Sequence, residues 1–166
     1  EGLARIGGDR KRAVRVAASV IRSFSHRRLD EPEKHVCRLA AVQAYEIAGL
    51  SPEDMSVAEV HDASAMGEII QTENLGLVPL GQGGVAAERG DFTLGGRIPV
   101  NTSGGLESKG HPLGATGIGQ LYELVVQLRG EAGARQVPGA RHAIQENGGG
   151  LQGIEEAAVA ITILSK

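Results

Sequence analysis

The chain has 166 residues, 41% of them hydrophobic and 22% charged, which suffices for one globular domain with its own core. A formal charge of −3 and an aromatic content of 2% argue against a nucleic-acid role, which needs a basic track or stacking rings. One cysteine permits no internal disulfide and no C-x-x-C metal site, no apolar run approaches the ~18 residues of a membrane span, and no signal peptide is legible, so a reducing cytoplasm away from membranes is the expected setting.

In chain order, residues 1–12 end in the charged stretch Gly7-Gly-Asp-Arg-Lys-Arg12 and read as a linker ahead of one domain, 13–166. Ala13–Ile21 reads as a buried strand. Ser25–Pro32 is a polar connection. From Pro32 to Leu50, Val36, Leu39, Ala40, Ala44, Ile47 and Ala48 recur at helical spacing, with Gly49 near the C-cap. Ser51-Pro-Glu-Asp opens a short capped turn. Ser56–Val60 is a short strand ending at His61, followed by a helix over about 63–75 with Met66, Ile69 and Ile70 facing inward. Residues 76–97 form a long glycine-rich excursion, and Ile98–Val100 is a strand edge. A helix over about 113–129 carries Leu121, Leu124, Val125 and Leu128 on one face. Ala140–Gln145 and Ala157–Leu164 then form an antiparallel pair around a Gly148–Gly153 loop. This order predicts an α/β fold, a mixed sheet covered by helices.

The densest chemistry lies in Asn101-Thr-Ser-Gly-Gly-Leu-Glu-Ser-Lys-Gly-His-Pro-Leu-Gly-Ala-Thr-Gly117, where His111 stands among glycines at the mouth of an apolar helix. Glycines let a ligand approach the main chain, and a helix N-terminus offers unpaired N–H groups to developing negative charge. Imidazole exchanges protons in either direction near neutrality. The alternative is a loop histidine bonded to backbone. His61, at the end of a strand, is a second candidate, the alternative being a satisfied polar core residue; Asp62 beside it reads as a helix cap. Cys37 falls in a helical pattern outside any glycine loop and reads as a small buried hydrophobe. His26, His35 and His142 read as surface or structural.

Three ordered blocks carry a family resemblance from about Ala13 to the end of the chain. Gly110-His-Pro-Leu-Gly-Ala-Thr-Gly117, with Asn101-Thr-Ser-Gly-Gly105 before it, resembles the G-H-P-x-G-x-[ST]-G signature of the thiolase superfamily. His61-Asp62-Ala63-Ser64 resembles the H-D-C-F loop of sterol-carrier-protein-x-type thiolases. Glu146-Asn147-Gly148-Gly149-Gly150 falls where thiolases carry a C-x-G or H-N-x-G loop.

The resemblance implies the C-terminal half of a thiolase-like enzyme, five strands sandwiched by helices, with residues 1–12 leading in from an N-terminal half. It implies acyl transfer: a cysteine thiolate takes an acyl group from a β-ketoacyl-CoA, and coenzyme A accepts it. Coenzyme A and acyl-CoA would be substrates, with no permanently bound cofactor and no metal. His111 would be the base toward the cysteine, and His61 an oxyanion donor. Ser103, Gly104, Gly105, Ala63, Ser64, Asn147 and Gly148 would border the substrate. The nucleophile belongs to the N-terminal half or subunit. A small accessory protein and a homo- or hetero-oligomer are further implied partners. Ala63 and Ser64 depart from the cysteine and phenylalanine of H-D-C-F. Glu146 replaces the usual acid/base cysteine, and is either the α-carbon base, raised by burial, or a residue shaping its loop. Arg5, Arg10, Lys11 and Arg12 are either a solvated linker or contacts to nucleotide phosphates. Two other functions compete: a retro-aldol lyase on an acyl-CoA side chain, and a non-catalytic acyl-CoA or lipid-binding subunit.

Overall fold

The computed structural model describes residues 12–166 together with Arg5, Gly7 and Gly8; Arg10 and Lys11 of the basic cluster lie outside the described residues. Strands β1 (Arg15–Ser23), β2 (Val57–Glu59), β3 (His142–Gly149) and β4 (Ala158–Ser165) form one mixed sheet in the order β1-β4-β3-β2. β4 runs antiparallel to both neighbours, and β2 is parallel to β3. The helices are α1 (Val36–Ala48), α2 (Ala65–Asn74), α3 (Gly83–Arg89), α4 (Gly105–Lys109) and α5 (Thr116–Arg129). α1 packs on β1 and β4, whereas α5 covers β3 and β2.

Alternation along the strands sorts their side chains between two cores. Ala58, Val60, Ile144, Val159, Ile161 and Ile163 join the α1 cluster, and Val57, Ala143 and Leu164 join Leu124 and Leu128 of α5. The same period carries Glu59 and His61 toward the side of Val57, and Gln145 and Asn147 toward the side of Ala143. Glu146 falls with Ile144 on the opposite face.

The mixed sheet and the terminal antiparallel pair form as expected, with four strands in place of five. The strand expected at 98–100 is reduced to a single parallel bridge between Val100 and Ala58. Ala58 N–H donates to Pro99 O at 3.0 Å and Asn101 N–H to Ala58 O at 2.9 Å. Pro99 has no N–H, and Asn101 turns to a φ of 52°, so the ladder stops there. β3 extends further than expected, because Gly148 and Gly149 continue the pairing with Val159 and Ala158. Glu146 and Asn147 are therefore strand residues rather than loop residues.

Three expectations about helices and burial are corrected. The 76–97 excursion contains α3, hidden in the sequence by Gly83-Gly84 at its start; the Glu73 carboxylate accepts from Gly83 N–H at 2.8 Å and fixes that end. In α2 the phase is reversed: Met66 is 61% exposed and Ile70 is also exposed, while Gln71, Thr72 and Asn74 are buried. Gln71 bonds Glu156, and Asn74 bonds Gln71 at 3.3 Å, so a polar network sets the rotation of this helix. β1 buries Ala18 and Val20 but leaves Ile21 77% exposed. No described helix is long and apolar enough to cross a membrane.

Candidate active site

His61 and His111 meet edge to face across a cleft of about 450 Å³, their ring centroids 4.8 Å apart. Thr116, Gly117, Leu121 and Ile118 of α5 form one wall, and Gln145, Asn147, Ala160 and Thr162 of the sheet form the floor. Among the described residues, the two histidines are the only titratable ones lining it.

His111 Nδ1 lies 2.7 Å from Thr116 Oγ1 in the first turn of α5, and that hydroxyl donates to Pro112 O at 3.2 Å. With the hydroxyl proton committed to Pro112, Nδ1–H is the donor in the shorter contact. The lone pair then sits on Nε2, the form a general base needs. Thr116 is the position sequence reasoning passed over, although it is the hydroxyl residue of the glycine-histidine-proline block.

His61 follows β2 at the centre of a tight turn in which Asp62 N–H donates to Val60 O at 3.0 Å. Its ring contacts Asn147 Oδ1 through Nδ1 at 3.4 Å, and its backbone N–H donates to Glu146 Oε2 at 2.8 Å. Asp62 is buried and accepts from Leu106 N–H at 2.7 Å, so it caps α4 rather than the helix that follows it in sequence. Asn101 accepts from Val60 N–H at 2.9 Å and donates to Glu68 at 2.8 Å. Glu59, fully buried, takes Ser103 N–H at 3.0 Å and Ser103 Oγ–H at 2.6 Å. Burial pushes the Glu59 carboxyl up, against the pull of Ser103 and Lys109. Glu59 carried no signal of its own in the sequence, and Asn101 stood only as the first residue of a motif, with no partner legible for its side chain.

Of the residues expected at the site, His61, His111, Asn147 and Gly148 border the cleft. Ser64 caps α2, its hydroxyl accepting from Gly67 N–H at 3.1 Å, and Ala63 beside it is exposed. Ser103 lines a neighbouring hollow with Lys109 and Pro112, behind the His111 loop. Gly104 precedes α4 and Gly105 begins it, under Asp62. Glu146 is fully buried on the α1 side of the sheet and does not line the cleft. Cys37 lies in α1, fully buried, and burial raises its thiol well above the ordinary range, with Glu146 and Glu156 adding to the effect. It supplies no nucleophile to the cleft.

Burial also pushes the Glu146 carboxyl from its ordinary 4.5 up to about 8; the His61 N–H opposes the shift, and Glu156 and Asp62 reinforce it. Because the folded value is the higher one, the stabilising contribution is full below the unfolded value and is lost as pH rises from about 4.5 toward 8. Glu146→Gln keeps an acceptor for His61 N–H and cannot ionise. The melting temperature of the variant should therefore gain on the parent as pH is raised through that window. A difference that stays flat would show that Glu146 titrates as a solvated carboxylate does.

Residues 18–165 match the family described as Thiolase C-terminal domain-like. The chain is 57% identical over 108 residues to sterol carrier protein 2 of Rattus norvegicus, covering 65% of the chain and 20% of that protein. It is 52% identical over 114 residues to acetyl-CoA acetyltransferase of Methanothermobacter thermautotrophicus, covering 69% of the chain and 30% of that protein. It is 39% identical over 129 residues to benzoylsuccinyl-CoA thiolase subunit BbsB of Thauera aromatica, covering 76% and 34%. The chain thus spans a fifth to a third of the length of these relatives. Among solved structures, the Ltp2-ChsH2(DUF35) aldolase shares the fold with a TM-score of 0.74 at 22% identity, over 90% of this chain and 39% of that one. Human mitochondrial 3-ketoacyl-CoA thiolase does so with a TM-score of 0.63 at 20% identity, over 99% and 33%.

Proposed function

The chain belongs to the family of thiolase C-terminal domains, and from that premise we propose that it is the C-terminal catalytic half of an acyl-CoA acyltransferase. The observation that carries this reading is the facing pair His61 and His111, with Nδ1 of His111 engaged by Thr116 and Nε2 left to the cleft. His111 takes the proton of a cysteine thiol belonging to an N-terminal half, on the same polypeptide or a separate subunit. The thiolate adds to the carbonyl of a β-ketoacyl-CoA, whose oxyanion His61 stabilises as a hydrogen-bond donor. Cleavage leaves the electron pair on the α-carbon of an acyl-CoA fragment, which takes up a proton. Once His111 has released that first proton, coenzyme A attacks the acyl-enzyme and gives its own proton to His111. The bond from the acyl carbon to the cysteine sulfur breaks, and the departing thiolate takes the proton back from His111. Since the two histidines are the titratable groups of this half-cleft, the α-carbon proton passes through one of them or through a group of the other half.

The surface supports a second half-site. On the α5 side of the sheet, α5 covers β3 and β2 and leaves Val16 and Ile21 of β1 exposed. Leu113, 85% exposed, and Ile118 of α5 line the cleft and are exposed, as is Tyr122 one turn further along α5. An N-terminal half seated there would close the cleft and bury these side chains. A second reading, a retro-aldol lyase assembled with a small accessory protein, is favoured by Ala63, which stands where the H-D-C-F loop has its thiol.

The test is to purify the chain from its source with whatever accompanies it, identify the polypeptides, and assay thiolysis and aldol cleavage of bulky acyl-CoA substrates. A partner domain bearing a cysteine in a glycine-flanked turn, together with coenzyme A-dependent thiolysis, is the expected result. Aldol cleavage without thiolysis would replace acyl transfer with the lyase reading, and neither activity would leave a binding subunit.

A further inference from the structure

Glu146 is a fully buried titratable group to which the acyl-transfer reading gives no task. Its Oε2 accepts from His61 N–H at 2.8 Å, while its Oε1 is buried without a partner among the described residues. Retaining a carboxyl with an orphaned oxygen in the interior opposes folding, and an apolar residue of the same volume would avoid that cost. The next residue, Asn147, reaches the His61 ring from the other face of β3. Two consecutive strand residues therefore grip one histidine, Glu146 by its main chain and Asn147 by its side chain.

We infer that Glu146 is a positioning residue for His61, and that gain or loss of its proton sets how firmly the His61 main chain is held. The inference rests on the acyl-transfer reading only for what His61 does once held. An ionised carboxylate accepts an N–H bond about twice as strongly as a neutral acid, so deprotonation tightens the contact. Three groups face Glu146 from the surrounding elements. Glu156 comes from the β3–β4 connection, Asp62 from the turn after β2, and Cys37 from α1. Glu156 is in turn bonded by Gln71 and lies 3.5 Å from His35 Nε2. Asp62 and Glu156 are like charges that resist ionisation of Glu146, while the His61 N–H favours it. Asp62 is already committed to the N–H groups of α4, which leaves Glu146 as the carboxyl whose change of state reaches His61 directly.

The experiment is nuclear magnetic resonance of the chain labelled with 15N-histidine, in the assembly in which it purifies, from about pH 6 to 9.5. The His61 amide proton should move downfield in one step with a midpoint of about 8. Glu146→Gln should abolish the step while keeping the amide protected from exchange, and Glu156→Gln should move the midpoint to lower pH. A parent amide that is flat across this range, or a step that persists in Glu146→Gln, overturns the inference. The kinetic counterpart is a change in the alkaline limb of kcat for Glu146→Gln with KM little altered. Absence of any turnover in the parent assembly would strike at the acyl-transfer reading alone, because the amide titration does not depend on turnover.

Discussion

Replacing His111 with alanine in the assembled enzyme should lower turnover at least ~100-fold, within the range expected for loss of a general base. The fold should survive, because the His111 ring is exposed and makes one polar contact, to Thr116 Oγ1, which keeps its bond to Pro112 O. The unfolding midpoint of the chain should therefore shift little while activity collapses. The pairing with His61 gives a second signature. If His111 generates the thiolate and His61 holds the oxyanion, the nucleophilic cysteine of the partner half should alkylate more slowly in the His111→Ala assembly, and His61→Ala should leave its alkylation near the parental rate. A His111→Ala loss below tenfold with intact folding would remove His111 from the proton transfer. Equal alkylation in both variants would mean that the thiolate forms without it.

The sequence made some of this site legible and concealed the rest for physical reasons. His111 and His61 were visible because each stands in a local pattern with few structural explanations, one between glycines before a helix and the other at the end of an apolar strand. The family blocks ordered them along the chain. What holds them was not visible, because it is long-range. Glu59 reaches Ser103, Asn101 reaches Val60 and Glu68, and Glu146 reaches His61 across the strand order. No local period encodes such contacts. Glu146 was expected in a loop because Gly148–Gly150 follows it, yet glycines without side chains continue a ladder when the opposing strand is apolar and the register is already set. One residue of strand then decides the outcome, since alternation turns Asn147 to the cleft and Glu146 to the far side. In α2 the apolar pattern pointed Met66 and Ile70 inward, and buried polar bonds from Gln71 and Asn74 overrode it. Met66 and Ile70 are left on the surface for reasons that the fold of this chain alone does not require.

A large structural effect that also reaches the site should come from Gly105→Ala, at a position with no polar side chain. Gly105 has a φ of +64°, and a Cβ built there would lie 2.0 Å from Asp62 Oδ2 and 2.6 Å from Asp62 Cγ. The Asp62 carboxyl cannot yield to it, because it is buried and holds the N–H groups of Leu106 and Glu107. Backbone strain at such a φ costs about 1–3 kcal/mol. Displacing a buried carboxylate from its donors adds about 1–3 kcal/mol more, so a total loss of roughly 2–4 kcal/mol is expected once the chain relaxes. The displacement also reaches the chemistry, because Asp62 N–H closes the turn that aims His61 at the cleft. Turnover of the assembly should fall together with stability, by tenfold or more, and a lower temperature should restore folding before it restores rate. Gly84→Ala is the control: it is helical, exposed and has nothing within 4 Å of its added Cβ, so it should stabilise the chain by about 0.5–1 kcal/mol. Denaturant unfolding of both variants decides the matter. A Gly105→Ala chain within about 0.5 kcal/mol of the parent would show that α4 can move away from Asp62 at little cost. The Asp62 cap would then not be what fixes the direction of His61.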